Sequence, residues 1–185
     1  MLRGRKQAIV AGALSLAAGA GMAFVVAGAA ADPTDRDVTI DESNKVLTIF
    51  GSPEAEKLTV SGRSSECCIT IDGSSTFSQF SDDCDYDDSG TFMRVICDTS
   101  KMKSIDAPLG DSDDSMTVVG RLPILTIRGE TGFDEILGGK AGETLDGGPD
   151  GDLIKGRGGK DKINGGSGTD KCKGSREATI KKCEQ

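Results

Sequence analysis

The chain has 185 residues and a formal net charge of −8, and it contains no His and no Trp. This acidity argues against nucleic acid or an anionic membrane surface as a partner, and it favours cations. The scarcity of large aromatic residues argues against a conventional two-layer domain and favours a solenoid, whose core needs only thin ladders of small aliphatic side chains.

The start of the chain has the features of a secretory signal. A positively charged stretch at residues 3–6 precedes an apolar run over residues 8–27, and Ala29 and Ala31 satisfy the small-x-small rule. We therefore predict cleavage between Ala31 and Asp32, secretion to the extracellular space and no stable membrane insertion afterwards. Cleavage would take the net charge from −8 to −11. The alternative is an uncleaved anchor, because the apolar run is nearly long enough to span a bilayer.

The segment 32–128 is predicted to be a degenerate β-solenoid. Short runs that alternate in polarity, such as "KVLTIF", "KLTVS" and "ILTIR", are separated by turn-forming residues. Two stretches place a glycine, an acidic residue and an aliphatic residue much as the repeats described below do: Gly51, Glu56 and Leu58, and Gly110, Asp114 and Met116. We interpret both as solenoid rungs without the metal-binding glycines. A β-sandwich is the alternative, because short alternating strands suit that fold too.

An acidic run, "DDCDYDDSG" at 82–90, imitates the start of an EF-hand loop. The twelfth loop position would be Ile96, where a bidentate Glu is required. We therefore predict a solvated acidic loop that is tied down by Cys84.

Six cysteines follow the predicted cleavage site: Cys67, Cys68, Cys84, Cys97, Cys172 and Cys183. An even number behind an export signal predicts disulfides, and the absence of His and of any C-x-x-C pair argues against zinc. A Cys172–Cys183 bridge would close the last rung, and a Cys84–Cys97 bridge could bracket the acidic run. The four cysteines from 67 to 97 allow three pairings, and the sequence leaves the choice open.

The segment 129–174 is a tandem repeat with a period of nine. The blocks read GETGFDEIL, GGKAGETLD, GGPDGDLIK, GRGGKDKIN and GGSGTDKCK. Position one is always Gly. Position six is acidic: Asp134, Glu143, Asp152, Asp161 and Asp170. Position eight is apolar: Ile136, Leu145, Ile154, Ile163 and Cys172. Such a register outranks local propensities. The alternative is a flexible Gly/Asp-rich linker that binds calcium diffusely.

The pattern G-G-x-G-x-D-x-aliphatic-x resembles the hemolysin-type (RTX) calcium-binding repeat of secreted bacterial proteins. The resemblance implies an all-β, parallel β-roll in which positions one to six turn and positions seven to nine form a strand. It also implies that turns eighteen residues apart stack, so that blocks one, three and five share one edge (the odd edge) and blocks two and four share the other (the even edge). Residues 175–185 would then form a C-terminal cap.

The chemistry of the turns points to Ca²⁺ as the cofactor. Glycine permits positive φ and lets carbonyl oxygens point inward, and Ca²⁺ takes six to eight oxygens from carboxylates and carbonyls. Without the ion, neighbouring carboxylates repel, so binding free energy becomes folding free energy. The predicted metal-binding residues are Gly129, Gly132, Asp134, Glu143, Gly147, Asp150, Asp152, Gly156, Gly159, Asp161, Gly165, Gly168 and Asp170.

The copies are unequal, which predicts unequal sites. In block two Ala141 replaces the position-four glycine, where we expect positive φ and hence strain, and Glu143 places its carboxylate about one methylene further out. Asp150 at position four is tolerable because Asp visits the left-handed region. We expect two good calcium sites on the odd edge and one poor or empty site on the even edge.

An enzyme is not expected. A chain without His cannot carry a zinc-protease helix or a Ser-His-Asp triad, and no G-x-S-x-G elbow or P-loop occurs. The sequence therefore predicts an extracellular calcium-binding protein whose repeats fold around Ca²⁺. The alternative is a cell-surface scaffold or adhesion module in which calcium is only structural and the partner is unknown.

Overall fold

The computed structural model describes residues 36–41, 44–51, 55, 57–63, 68–73, 77–80, 84–87, 93–98, 100, 102–122 and 124–184. The predicted signal segment, Glu56 and Cys67 lie outside these ranges. All the regular elements of the described ranges are strands, and these ranges contain no helix long and apolar enough to cross a membrane.

Sixteen strands are described. They are β1 (Arg36–Asp41), β2 (Val46–Phe50), β3 (Lys57–Arg63), β4 (Cys68–Gly73), β5 (Phe77–Phe80), β6 (Cys84–Asp87), β7 (Met93–Asp98), β8 (Ser104–Asp111), β9 (Ser115–Arg121), β10 (Ile124–Thr131), β11 (Glu135–Leu137), β12 (Thr144–Pro149), β13 (Leu153–Lys155), β14 (Lys162–Ser167), β15 (Lys171–Lys173) and β16 (Thr179–Lys181).

The strands form two eight-stranded sheets, and from β8 onward successive strands alternate between them. One sheet has the order β16-β14-β12-β10-β8-β2-β1-β5, and the other has the order β15-β13-β11-β9-β3-β4-β7-β6. Every pair from β8 to β16 is parallel. The chain is therefore a parallel β-roll, which confirms the predicted fold class and excludes the sandwich for this part of the chain.

The rungs of the roll repeat every eighteen residues where the sequence repeats every nine. Ile136 is opposite Ile154, which is opposite Cys172, and Leu145 is opposite Ile163 in the other sheet. The four aliphatic side chains are buried. Position eight thus points into the roll, as predicted, and two thin ladders of Ile and Leu form the core between the sheets. Burial of each such side chain stabilises the fold by about 1.5–3 kcal/mol.

The echo at 109–117 is a genuine rung, because Met116 is buried and pairs with Ile136, twenty residues later. The second echo also enters the ladder: Leu58 is buried and pairs with Met116. The polar residues between the strands differ in number, but the aliphatic register is kept, because a slip of one residue would turn the aliphatic side chains out of the core.

Antiparallel strands interrupt the solenoid before β8. Strand β2 pairs with β8, and strand β3 pairs with β9, although a long stretch of chain separates the two strands of each pair. In the second sheet β3 is followed by the antiparallel neighbours β4, β7 and β6. The acidic loop predicted around Cys84 is therefore wrong over 84–87, which form strand β6 opposite β7. Two interactions hold this strand in place: its antiparallel pairing with β7, and a disulfide between Cys84 and Cys97, which are opposite each other in that register.

A second disulfide follows the repeats. Cys172 in strand β15 is bonded to Cys183, eleven residues later. Both bridges are among those considered from the sequence. For the remaining pair, Cys67 and the side chain of Cys68 lie outside what the structure describes.

Candidate functional site

The position-six carboxylates point inward and are buried. Asp134, Glu143, Asp152, Asp161 and Asp170 are each at most 2% exposed. Asp and Glu are almost never buried so completely unless a cation or several donors accompany them. Within the described ranges, the salt bridges instead join exposed pairs such as Lys155 with Glu135 and Lys160 with Glu177.

Hydrogen bonds join the odd-edge carboxylates into one line. Oδ1 of Asp134 accepts from the backbone N–H of Asp114, Oδ1 of Asp152 from that of Asp134, and Oδ1 of Asp170 from that of Asp152, each at 2.9 Å. One carboxylate oxygen therefore ties each rung to the rung before it. The second oxygen, Oδ2, receives no hydrogen bond from the described residues in Asp134 or Asp152.

The free Oδ2 oxygens lie against the position-one glycines of their own blocks. A Cβ on Gly147 would collide with Oδ2 of Asp152 and with the carbonyl oxygen of Gly165, and a Cβ on Gly129 would collide with the equivalent pair from block one and block three. Neither glycine has positive φ. Position one is therefore glycine for lack of space: a carboxylate oxygen and a carbonyl oxygen of the next rung converge there.

Positive φ occurs elsewhere in the turn, at positions two and four. In blocks one, three, four and five, and in the rung at 109–117, both positions are left-handed. The position-two residues include Glu130 (φ 72°) and Arg157 (φ 63°), and Asp150 (φ 78°) is at position four, as expected. Positive φ therefore occurs at every second residue of these turns. The sequence analysis attributed this conformation to the turn glycines in general.

The predicted ligands thus separate into two groups. Positions one and six meet in blocks one, three, four and five, which brings together the pairs Gly129 and Asp134, Gly147 and Asp152, Gly156 and Asp161, and Gly165 and Asp170. The position-four glycines instead lie against main-chain carbonyl oxygens of the preceding rung: Gly132, Gly159 and Gly168. Oδ2 of Asp150 accepts a 3.3 Å hydrogen bond from the N–H of Gly132, at the surface.

The even edge is built differently. Oδ1 of Asp161 accepts from the N–H of Glu143 at 3.1 Å, and the Glu143 carboxyl group lies near the Asp161 carboxyl group and the backbone of Gly139 and Ala141 without a hydrogen bond of good geometry to any of them. Oδ2 of Asp161 lies against Gly156, where a methyl group of Ile163 is among the nearest neighbours. The strain expected at Ala141 is absent, because block two alone has no positive φ and its turn follows another path. The expectation of positive φ and strain at Ala141 was therefore wrong.

Burial shifts the protonation of these carboxylates. Desolvation, with repulsion from neighbouring Asp side chains, raises the pKa of Asp134 and of Asp152 to about 6. Burial likewise raises the pKa of Glu143 to about 7, and the facing carboxyl group of Asp161 adds to this shift. Each shift reports a carboxylate whose charge is poorly compensated by the protein.

The chain after block five supplies one more rung that the period did not reveal. The N–H of Asp170 donates to Oε2 of Glu184, and the N–H of Glu184 donates to the carbonyl oxygen of Asp170 at 2.8 Å. Glu184 thus takes the place of a position-six Asp only fourteen residues after Asp170. A search of the sequence at a fixed spacing of nine or eighteen residues cannot find Glu184. The feature that could have indicated it is the neighbouring Cys183, which is bonded to Cys172 of block five.

These donors suit a hard cation. Within the described residues no three His, Cys, Asp or Glu side chains converge, so a metal would have one carboxylate per rung and would take its remaining ligands from main-chain carbonyls or water. The unbonded Oδ2 atoms and the carbonyl oxygens beside them are ligands of these kinds. No family model, no curated protein and no solved structure matches the chain.

Proposed function

We propose that this protein is an extracellular calcium-binding protein whose repeat segment is stabilised by Ca²⁺ held along the odd edge. One observation carries the proposal: in a line of buried carboxylates, Oδ2 of Asp134 and of Asp152 lack a partner among the described residues, yet each lies beside a carbonyl oxygen of the next rung. The resemblance of the nonapeptides to hemolysin-type repeats supports the same ion.

The residues that would hold calcium are those that meet across the position-one glycines. They are Oδ2 of Asp134 with the carbonyl oxygen of Gly147, and Oδ2 of Asp152 with the carbonyl oxygen of Gly165. A bound divalent cation supplies positive charge that offsets the burial and mutual repulsion of the carboxylates. The position-one glycines leave room for the ion, and the hydrogen bonds to Oδ1 hold each carboxylate in a fixed orientation.

The even edge supports a weaker site at most. At Gly156 the nearest neighbours are Oδ2 of Asp161 and a methyl group of Ile163, whereas Glu143 places a carboxylate oxygen near Gly139, the second residue of its block. This difference supports the prediction of two good odd-edge sites and one poor even-edge site.

The proposal is tested by calorimetric titration of the disulfide-bonded chain with CaCl₂, and with MgCl₂ as a control. We expect saturable binding of at least two calcium ions, and little response to magnesium because its smaller shell demands stricter octahedral geometry. A double Asp134→Asn/Asp152→Asn variant should lose these ions. A folded chain that binds no calcium would overturn the proposal.

A further inference from the structure

The segment that follows block five contains a third copy of the odd-edge oxygen pair. Gly165 is the position-one glycine of block five, and a Cβ on it would collide with Oδ2 of Asp170 and with the carbonyl oxygen of Lys182. The same two kinds of oxygen meet at Gly129 and at Gly147. Here, however, the carbonyl oxygen comes from outside the repeat, seventeen residues after Gly165.

The aspartate at this third position is a buried residue, as Asp134 and Asp152 are. Asp170 is 1% exposed, and its Oδ1 accepts from the N–H of Asp152. Among the hydrogen bonds described for Asp170 none involves its Oδ2, which, unlike Oδ2 of Asp134 and Asp152, is not a fully buried oxygen without a partner. Two oxygens of partial or full negative charge, Oδ2 of Asp170 and the carbonyl oxygen of Lys182, thus meet over Gly165, and a cation held between them would offset their mutual repulsion.

The backbone of residues 182–184 imitates a repeat turn. Lys182 has positive φ (50°), as the position-two residues of most rungs do. Two residues later Glu184 bonds to the N–H of Asp170 through its carboxylate, in the way that each Asp bonds to the rung before it. Glu184 also forms a parallel bridge with Lys171. Its longer side chain bridges the distance that the shortened turn leaves.

The Cys172–Cys183 disulfide holds this turn against block five. Cys183 lies between Lys182, which supplies the carbonyl oxygen, and Glu184, which supplies the carboxylate, and its partner Cys172 is the position-eight residue of block five. In the other rungs an aliphatic residue at position eight packs on the rung before it; at this end of the roll the disulfide takes the place of that packing contact. Strand β16 does not provide this contact, because it lies in the other sheet, beside β14.

We propose that Lys182–Glu184 is a cystine-clamped extra rung, which completes a third odd-edge site for Ca²⁺ from Oδ2 of Asp170, the carbonyl oxygen of Lys182 and the carboxylate of Glu184. The inference rests on the proposed calcium function and adds to it a site that the nonapeptide period does not contain. It also makes this third site dependent on an oxidised Cys172–Cys183 pair.

The test compares calcium titrations of the full disulfide-bonded chain and three variants. Glu184→Gln keeps the shape and can still accept the hydrogen bond from Asp170, but it removes the charge. Cys172→Ser/Cys183→Ser removes the clamp, and Glu177→Gln removes an equally acidic, exposed side chain from the same segment as a matched control. Bound calcium is counted by equilibrium dialysis alongside calorimetry.

We expect three odd-edge ions in the unsubstituted chain and in Glu177→Gln. In Glu184→Gln and in the double serine variant, one ion should be lost or bound at least about tenfold more weakly, with the other two unchanged. If Asp152→Asn impairs binding but Glu184→Gln does not, the extra rung is wrong while the calcium function stands. If the unsubstituted chain binds no calcium, the calcium function itself fails. Glu184→Gln decides the matter even where the serine variant does not fold.

Discussion

The backbone N–H of Asp134 donates to Oδ1 of Asp152 at 2.9 Å, eighteen residues further along the chain. This single bond fixes the carboxylate of one repeat against the backbone of the previous one and leaves its other oxygen unbonded. A hydrogen bond of this kind, from a backbone donor to a charged acceptor, contributes about 1.5–3 kcal/mol. We expect the unbonded Oδ2 to lower the stability of the metal-free roll and to be the source of its proposed cation affinity.

Asp152→Asn should therefore have opposite effects with and without calcium. The Asn oxygen can still accept from Asp134, and its Nδ2 can donate to the carbonyl oxygen of Gly165, so the metal-free chain should melt about 2–4 °C higher for each 1 kcal/mol gained. Calcium affinity should fall at least about tenfold because a ligand charge is lost. Thermal melting in chelator and in calcium measures both effects.

The matched control for Asp152→Asn is Glu135→Gln, which removes one negative charge from the outer face of the same edge, where Glu135 pairs with Lys155. It should leave both quantities nearly unchanged. Equal effects of the two substitutions would show that net charge, not the buried oxygen, controls stability.

Gly147→Ala should strongly destabilise the roll, although the φ of Gly147 is one that alanine can adopt. The new Cβ would overlap Oδ2 of Asp152 and the carbonyl oxygen of Gly165, and such overpacking costs about 1–3 kcal/mol or more. Gly158→Ala is the control, since its Cβ would meet nothing closer than 3.7 Å. That variant should be neutral or more stable by about 0.4–1 kcal/mol. Denaturant unfolding compares the two, and a similar loss in both would refute the crowding at position one.

The metal-free chain should become more stable as the pH falls. Asp134 and Asp152 have folded pKa values of about 6 against an unfolded value of 3.8, so the folded state binds protons that the unfolded state does not over this window. The stabilisation is complete below pH 3.8 for these two groups and is lost as the pH rises through 6. Glu143 extends the same trend up to about pH 7.

The pH trend is measured by thermal melting of calcium-stripped protein between pH 5 and pH 8. Glu143→Gln should flatten the part of the curve near pH 7. Calcium affinity should change in the opposite direction, weakening toward low pH because protons compete for the same carboxylates. Melting temperatures that rise with pH in the absence of calcium would contradict these pKa shifts.

Removal of the Cys84–Cys97 disulfide should lower stability without changing calcium binding. The bridge closes thirteen residues, for which loss of the crosslink costs about 3 kcal/mol, and it joins β6 and β7 at the far end of the sheet from the repeats. A Cys84→Ala/Cys97→Ala variant, unfolded in urea and titrated with calcium, checks both expectations. Altered calcium stoichiometry in this variant would mean that the two ends of the roll are coupled.

Residues with a strict local period could be read from the sequence. The nine-residue period identified Ile136 and Ile154 as core residues, and the resemblance to hemolysin-type repeats implied that Asp134 and Asp152 share one edge. Glu184 could not be read this way, since its rung is shortened and is held by a cystine. The strand at 84–87 was missed because its pairing with β7 depends on a non-local partner, which outweighs the preference of an acidic run for a loop.

The position-one glycines show a subtler limit. The sequence explained them by positive φ, whereas the structure places positive φ at positions two and four and leaves Gly129 and Gly147 with ordinary φ values. What those glycines provide is space for two oxygens, a property of the neighbouring rung that no single repeat contains.

The most direct measurement is amide hydrogen exchange of strands β11 to β15, in chelator and in saturating calcium, near pH 7.5. If calcium compensates the buried carboxylates, these amides should exchange rapidly in chelator and be strongly protected in calcium, with magnesium giving little protection and β8 and β9 changing less. Equal protection with and without calcium would contradict the account, because the roll would then be stable with its carboxylates uncompensated.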